Sequence, residues 1–135
     1  MYEEMENRFK NNGFLAKKFQ PLLDYEERQS DVPEDESLAI ESDIMKYVDK
    51  IIEVCDEYGV KLIFYRAPYV STENELRKLN YLEQYLEGQG VEFFDMEKEI
   101  AYDYAQDFND YQHLSEEGAQ KTTEYLSKIV VESLK

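Results

Sequence analysis

Gly59-Val60-Lys61-Leu62-Ile63-Phe64-Tyr65-Arg66-Ala67-Pro68 decides the fold class of this chain of 135 residues. Its centre is a short, nearly continuous apolar run between a glycine and a proline. That is how a parallel strand covered on both faces reads. A second run, Val91-Glu92-Phe93-Phe94-Asp95, has the same character. Helical patterns lie between and around the two. From Ser37 or Ser42 to Tyr58, apolar residues recur at Ile44, Val48, Ile51, Ile52 and Cys55, and Gly59 is the expected stop. Between the runs, Ser71 or Thr72 caps a helix whose inner face is Leu76, Leu79, Leu82 and Leu86, ended by Gly88 and Gly90. A short helix is expected within 96–106 around Met96, Ile100 and Tyr104. A last helix starts at Ser115, with Ala119, Thr122, Leu126, Ile129 and Val130 facing inward. Helix-strand-helix-strand-helix order predicts a parallel α/β unit with helices on both faces.

The first 36 residues read differently. Met1, Met5 and Phe9 share one helical stripe, and Asn12-Gly13 stops it. Residues 14–36 form an irregular arm holding Pro21 and the acidic run Asp31-Val32-Pro33-Glu34-Asp35-Glu36. Such a run is a solvated loop rather than a cation site, because charge blocks stay hydrated. The division is therefore an arm over 1–36 and an α/β domain over 37–135.

Charge narrows the function. The net charge is −16, which repels phosphate backbones and anionic lipid surfaces alike. Neither nucleic-acid binding nor membrane insertion by this segment is expected, since no apolar run approaches the ~20 residues of a bilayer span. The opening Met-Tyr-Glu-Glu-Met-Glu lacks the basic and apolar regions of a signal peptide. The one cysteine, Cys55, cannot form an internal disulfide and lies on an apolar helix face, where a thiol is inert. No metal-ligand cluster surrounds it, and no cofactor is implied.

Chemistry concentrates in Asp107-Phe108-Asn109-Asp110-Tyr111-Gln112-His113-Leu114-Ser115-Glu116-Glu117-Gly118-Ala119, which holds the only histidine. Asp110 and His113 on one short turn can hydrogen-bond. The carboxylate would then fix the imidazole tautomer, as in a serine-histidine-acid site. The bland alternative is that the pair only pins a loop to a helix start. Arg66 and Tyr69 fall at the C-terminal end of the first strand, the side on which open α/β sheets bind ligands. Arg66 has its own bland reading, an ion pair with one of the 31 acids. Asp95, at the end of the second strand, reads as an acceptor that fixes a loop.

Asp110-x-x-His113-Leu114-Ser115-x-x-Gly118-Ala119-x-Lys121, with Asp107-Phe108 before it and Tyr125-Leu126 after it, resembles the last block of the SGNH (GDSL-like) hydrolase superfamily. It looks most like a bacterial branch of cell-envelope esterases and acyltransferases. The resemblance covers about the last 95 residues. It implies a partial three-layer, flavodoxin-like parallel sheet, corresponding to the C-terminal half of such a domain. By that resemblance His113 is the general base, Asp110 orients it, Asp107 is a weaker alternate acid, and Arg66 and Tyr69 contact substrate. No Gly-Asp-Ser block and no Gly-x-Asn-Asp block occurs in the chain. None of Ser30, Ser37, Ser42, Ser71, Ser115, Ser127 or Ser133 stands in a strand-to-helix elbow. The chain alone is therefore expected to be inactive, and its hydroxyl partner would come from an N-terminal half of the domain.

The first strand then has an apolar edge at Leu62–Tyr65 that something must cover. The arm and a second copy of the chain, as a homodimer or swap, are the expected covers. Three functions follow: a piece of an SGNH-type esterase or acyltransferase, a non-catalytic SGNH-like protein that binds glycans or acyl groups, or a small acidic interaction module.

Overall fold

Gly59 does what its position requires. It ends helix α1 (Ser42–Tyr58) in the left-handed region at φ 64°, and Val60 N–H then reaches back to the Cys55 carbonyl at 2.8 Å. The chain turns directly into strand β1 (Ile63–Arg66). The computed structural model describes residues 32–135, so the helix expected in 1–13 and the arm up to residue 31 lie outside the described residues.

Strand β1 pairs in parallel with β2 (Glu92–Asp95), and α2 (Glu73–Gly88) is the crossover between them. The register sets Phe64 against Phe93 and Arg66 against Asp95. Side chains alternate along a strand, so these four share one face of the sheet. Both strands are shorter than the apolar runs predicted. Lys61 and Leu62 precede the ladder, and the runs' apolar ends continue into turns. The result is a mixed α/β unit, helix-rich, with a two-stranded parallel sheet among the described residues.

Helix α2 starts at Thr72 rather than Ser71. Thr72 Oγ1 accepts from Glu75 N–H at 3.3 Å, while Glu75 Oε2 accepts from Thr72 N–H at 2.7 Å, a complete capping box. Replacing Thr72 with Ala removes one half of it. The expected loss is about 1 kcal/mol, read as a lower urea midpoint at unchanged slope. Leu86 is fully buried on this helix, and Leu76, Leu79 and Leu82 are half-buried.

The described part of the arm lies along α2, not over the β1 edge. Asn80 donates to the carbonyls of Pro33 (3.0 Å) and Glu36 (2.9 Å), and Gln84 donates to that of Glu34 (3.1 Å). Leu38 N–H donates to the Arg77 carbonyl at 3.0 Å. Tyr65 on β1 stays half exposed.

Helix α1 is rotated from the expected face. Met45 and Ile52 are buried and Val48 and Cys55 half-buried, whereas Ile44 and Ile51 turn outward. On this side of α1 the Tyr85 hydroxyl donates to Asp49, and Lys78 Nζ meets Glu41 Oε1, just before the helix, at 2.7 Å.

The helix expected in 96–106 is only α3 (Met96–Glu99), capped by Asp95, whose Oδ1 accepts from Glu97 N–H at 3.0 Å. Beyond it, Asp103 and Asp107 compete for the backbone. Asp103 Oδ1 takes Ala105 N–H (3.0 Å) and Asp107 Oδ2 takes Asp103 N–H (2.7 Å), so turns replace helix. Helix α4 (Glu116–Ser133) follows and buries Gly118, Thr122 and Ile129, while Val130, expected inside, is half exposed. Leu86, Met96 and Phe108 are the fully buried apolar side chains around which these elements meet.

Candidate functional site

The loop before α4 is held as a closed unit. Phe108 and Leu114 form an antiparallel bridge, and Asn109 N–H donates to the His113 carbonyl at 2.9 Å. The Asn109 side chain adds a bond to the Leu114 carbonyl at 3.1 Å. Phe108 anchors the loop below, stacked on Tyr104 at 5.2 Å and edge-on to Tyr102 at 5.5 Å. Tyr102 and Thr122 hydroxyls lie 2.6 Å apart. Thr122 donates its proton to the Gly118 carbonyl, so Tyr102 is the donor in that pair.

Helix α4 is fastened to the same loop at three points. Ser115 caps it, with Oγ accepting from Gly118 N–H at 3.2 Å. Ser115 N–H donates to the Asp107 carbonyl at 2.8 Å. Lys121 Nζ lies 2.6 Å from Asp107 Oδ2. Asp107 is 1 % exposed, and its carboxylate is committed to Lys121 and to Asp103 N–H. The acid that meets the imidazole is therefore Asp110, and Asp107 works as the fastener of α4.

Asp110 Oδ1 accepts from the backbone N–H groups of Gln112 and His113, both at 2.8 Å, which fixes the turn. The same carboxylate meets His113 Nδ1 at 2.8 and 3.0 Å. An ionised carboxylate only accepts, so Nδ1 carries the proton in this pair. A neutral His113 ring then leaves Nε2 with its lone pair outward, and the side chain is 58 % exposed. This is the tautomer a general base needs.

Partial burial pushes the Asp110 carboxyl up. The Gln112 N–H, the His113 ring and the His113 N–H outweigh that and hold it below the usual carboxylate range. A depressed acid contributes stability that is complete above its unfolded-state value and is lost as pH falls through the folded one. The side chain is half exposed, so screening keeps that contribution small. The direct readout is carboxyl 13C titration, in which Asp110 should protonate at lower pH than a free aspartate. In Asp110→Asn, 15N shifts should report a mixture of His113 tautomers in place of a dominant Nδ1–H form.

The loop after β1 reaches this turn through the backbone. Val70 N–H donates to the Tyr111 carbonyl at 2.9 Å. Arg66 shapes that loop from beneath. Nη1 meets both oxygens of Asp95 (2.9 and 3.1 Å), and Nη2 donates to the Tyr69 carbonyl (3.0 Å) and Ser71 Oγ (2.8 Å). Glu97 Oε2 is 3.7 Å away, and the guanidinium sits 5.2 Å from the centre of the Tyr69 ring. Arg66 is 6 % exposed, so its acid partner is buried Asp95 rather than a surface group, and Asp95 bonds both the loop's anchor and α3. Asp110 and His113 are thus brought together, and the strand-end loop that carries Tyr69 is joined to their turn by the Val70–Tyr111 backbone bond. Arg66 lies behind that loop with both Nη groups engaged.

Lys121 was legible as the last residue of the block around His113, but not as the partner of Asp107. Tyr111 carried no signal of its own, because it acts through its carbonyl. Both serines nearest the turn are committed, Ser71 to Arg66 and Ser115 to Gly118. Among the described residues no group of three His, Cys, Asp or Glu side chains is arranged to hold a metal ion, and no helix is long and apolar enough to cross a membrane.

Comparison with known proteins adds one relation. No curated protein and no solved structure matches the chain. A family model of unknown function matches residues 3–135, and the chain belongs to that family.

Proposed function

We propose that Asp110 and His113 are the orienting acid and general base of an SGNH-type serine esterase or O-acyltransferase site, inactive in this chain by itself. The observation that carries this reading is the Asp110–Nδ1 bond, which leaves Nε2 facing outward on a turn tied to the loop after β1. In this reading β1 and β2 are two strands of a larger flavodoxin-like parallel sheet. The remaining strands come from an N-terminal half of the domain or from a second copy joined along the edge at Leu62–Tyr65, and the serine comes from the N-terminal half.

The chemistry follows from the tautomer. Nε2 takes the proton of a serine hydroxyl as its oxygen bonds to the carbonyl carbon of an acyl ester. The tetrahedral oxyanion collapses, the ester C–O bond breaks, and the leaving alkoxide takes the proton back from Nε2. Water or an acceptor hydroxyl then removes the acyl group by the same steps. Asp110 stabilises the imidazolium in each half. Tyr69 would contact substrate from the strand-end loop, and Arg66, placed behind it, would position that loop.

A second reading is a non-catalytic glycan- or acyl-binding protein of the same type. It is favoured by the commitment of both the Ser71 and Ser115 hydroxyls. A fluorophosphonate probe separates the two. Applied to the chain together with the polypeptides that co-purify with it, the probe should label one serine that is not among residues 1–135, and His113→Ala should abolish the label. Absence of any labelled serine would sink the acyl-transfer reading. The chain alone should hydrolyse nitrophenyl acetate no faster than an exposed imidazole does.

A further inference from the structure

The outer face of α1 carries Ile44, Tyr47, Ile51, Val54 and Tyr58, which are 52, 69, 47, 52 and 74 % exposed. Their spacing alternates three and four residues. That is the a–d seam of a helix packing lengthwise against another helix. It is distinct from the inward stripe of Met45, Val48, Ile52 and Cys55. A helix that serves only its own core needs one apolar stripe, and α1 has two. A continuous exposed strip of this kind marks an interaction surface.

We propose that α1 pairs antiparallel with α1 of a second copy of this chain. The charges flanking the seam select the occupant and the register. Asp43, Lys50 and Glu57 lie at the g positions beside the seam, seven residues and so about two turns apart. Placing Ile51 on the partner's Val54 and Tyr47 on the partner's Tyr58 brings Lys50 beside the partner's Glu57. Twofold symmetry makes this pair twice. The neighbouring antiparallel register, with Ile51 on the partner's Tyr47, sets Lys50 against the partner's Lys50 and Asp43 against the partner's Glu57. A parallel pair places Lys50 beside the partner's Cys55 and forms no flanking ion pair. One arrangement is attractive, one repulsive and one indifferent, which is how flanking charges specify a helix pair. The net charge of −16 opposes self-association, so the apolar seam has to carry it. The proposal is independent of the acyl-transfer reading.

Sedimentation velocity on the full chain across a concentration series tests it. The expected result is a reversible dimer. Ile51→Lys should dissociate it with the far-UV circular dichroism unchanged, because that side chain is half exposed in the single copy. Lys50→Glu should weaken the dimer by about tenfold or more, since it creates two like-charge contacts. The double change Lys50→Glu and Glu57→Lys should restore it. A monomer at every concentration, as when residues 1–31 fold back over the seam, overturns the proposal. So does a dimer indifferent to Ile51→Lys, or one that the double change fails to rescue.

Discussion

Gly118→Ala should destabilise the domain by about 2 kcal/mol or more, although alanine is the better helix former by about 1 kcal/mol. A Cβ built at Gly118 would lie 2.1 Å from the Asp107 carbonyl oxygen and 3.0 Å from that carbonyl's carbon. Both are backbone atoms, and the same oxygen accepts from Ser115 N–H. Relief would require α4 to lift from the loop, which also breaks the Ser115 N–H bond to the Asp107 carbonyl and strains the Lys121–Asp107 pair. The position is thus a test of close approach, because propensity and packing predict opposite signs. Urea denaturation decides between them, and a stabilised Ala variant would show that α4 does not sit against Asp107. Amide shifts around Asp110–His113 should move in the same variant, since the turn is built on that contact.

Arg66→Met should cost about 3–5 kcal/mol, the usual result of leaving one member of a buried ion pair without its partner. Asp95 would keep a buried charge at 9 % exposure, and the Tyr69 carbonyl and Ser71 hydroxyl would each lose a donor. Arg66→Lys should recover little. An ammonium is a single point charge and cannot serve Asp95, Tyr69 and Ser71 in the same planar fork. Adding Asp95→Leu to Arg66→Met should restore part of the loss, because it removes the orphaned charge. The recovery stays incomplete because Glu97 Oε2 lies 3.7 Å from the same guanidinium. A double-mutant cycle in urea measures this coupling. Additive single losses would mean that Arg66 and Asp95 do not depend on each other.

Local signals carried much of this structure. Gly59 ended a helix where a left-handed residue was expected, Ser115 capped another, and two short apolar runs became the parallel pair. Asp110 and His113 were legible as a pair because their contact is three residues long and needs only a turn. Arg66 and Asp95 were each legible as strand-end residues, but their union was not. It depends on a register in which Arg66 stands opposite Asp95, and no local pattern encodes that.

By itself, then, the sequence determined element order, strand type, the Gly59 stop, the Ser115 cap and the acid–imidazole turn, because each rests on neighbours within one or two turns of chain. The tertiary structure decided which stripe of α1 faces the core. Both stripes are apolar, so hydrophobic periodicity could not choose between them, and the stripe of Met45 and Ile52 is the one the fold buries. It also decided what Asp107 does, because only the approach of α4, permitted by Gly118, brings Lys121 to its carboxylate.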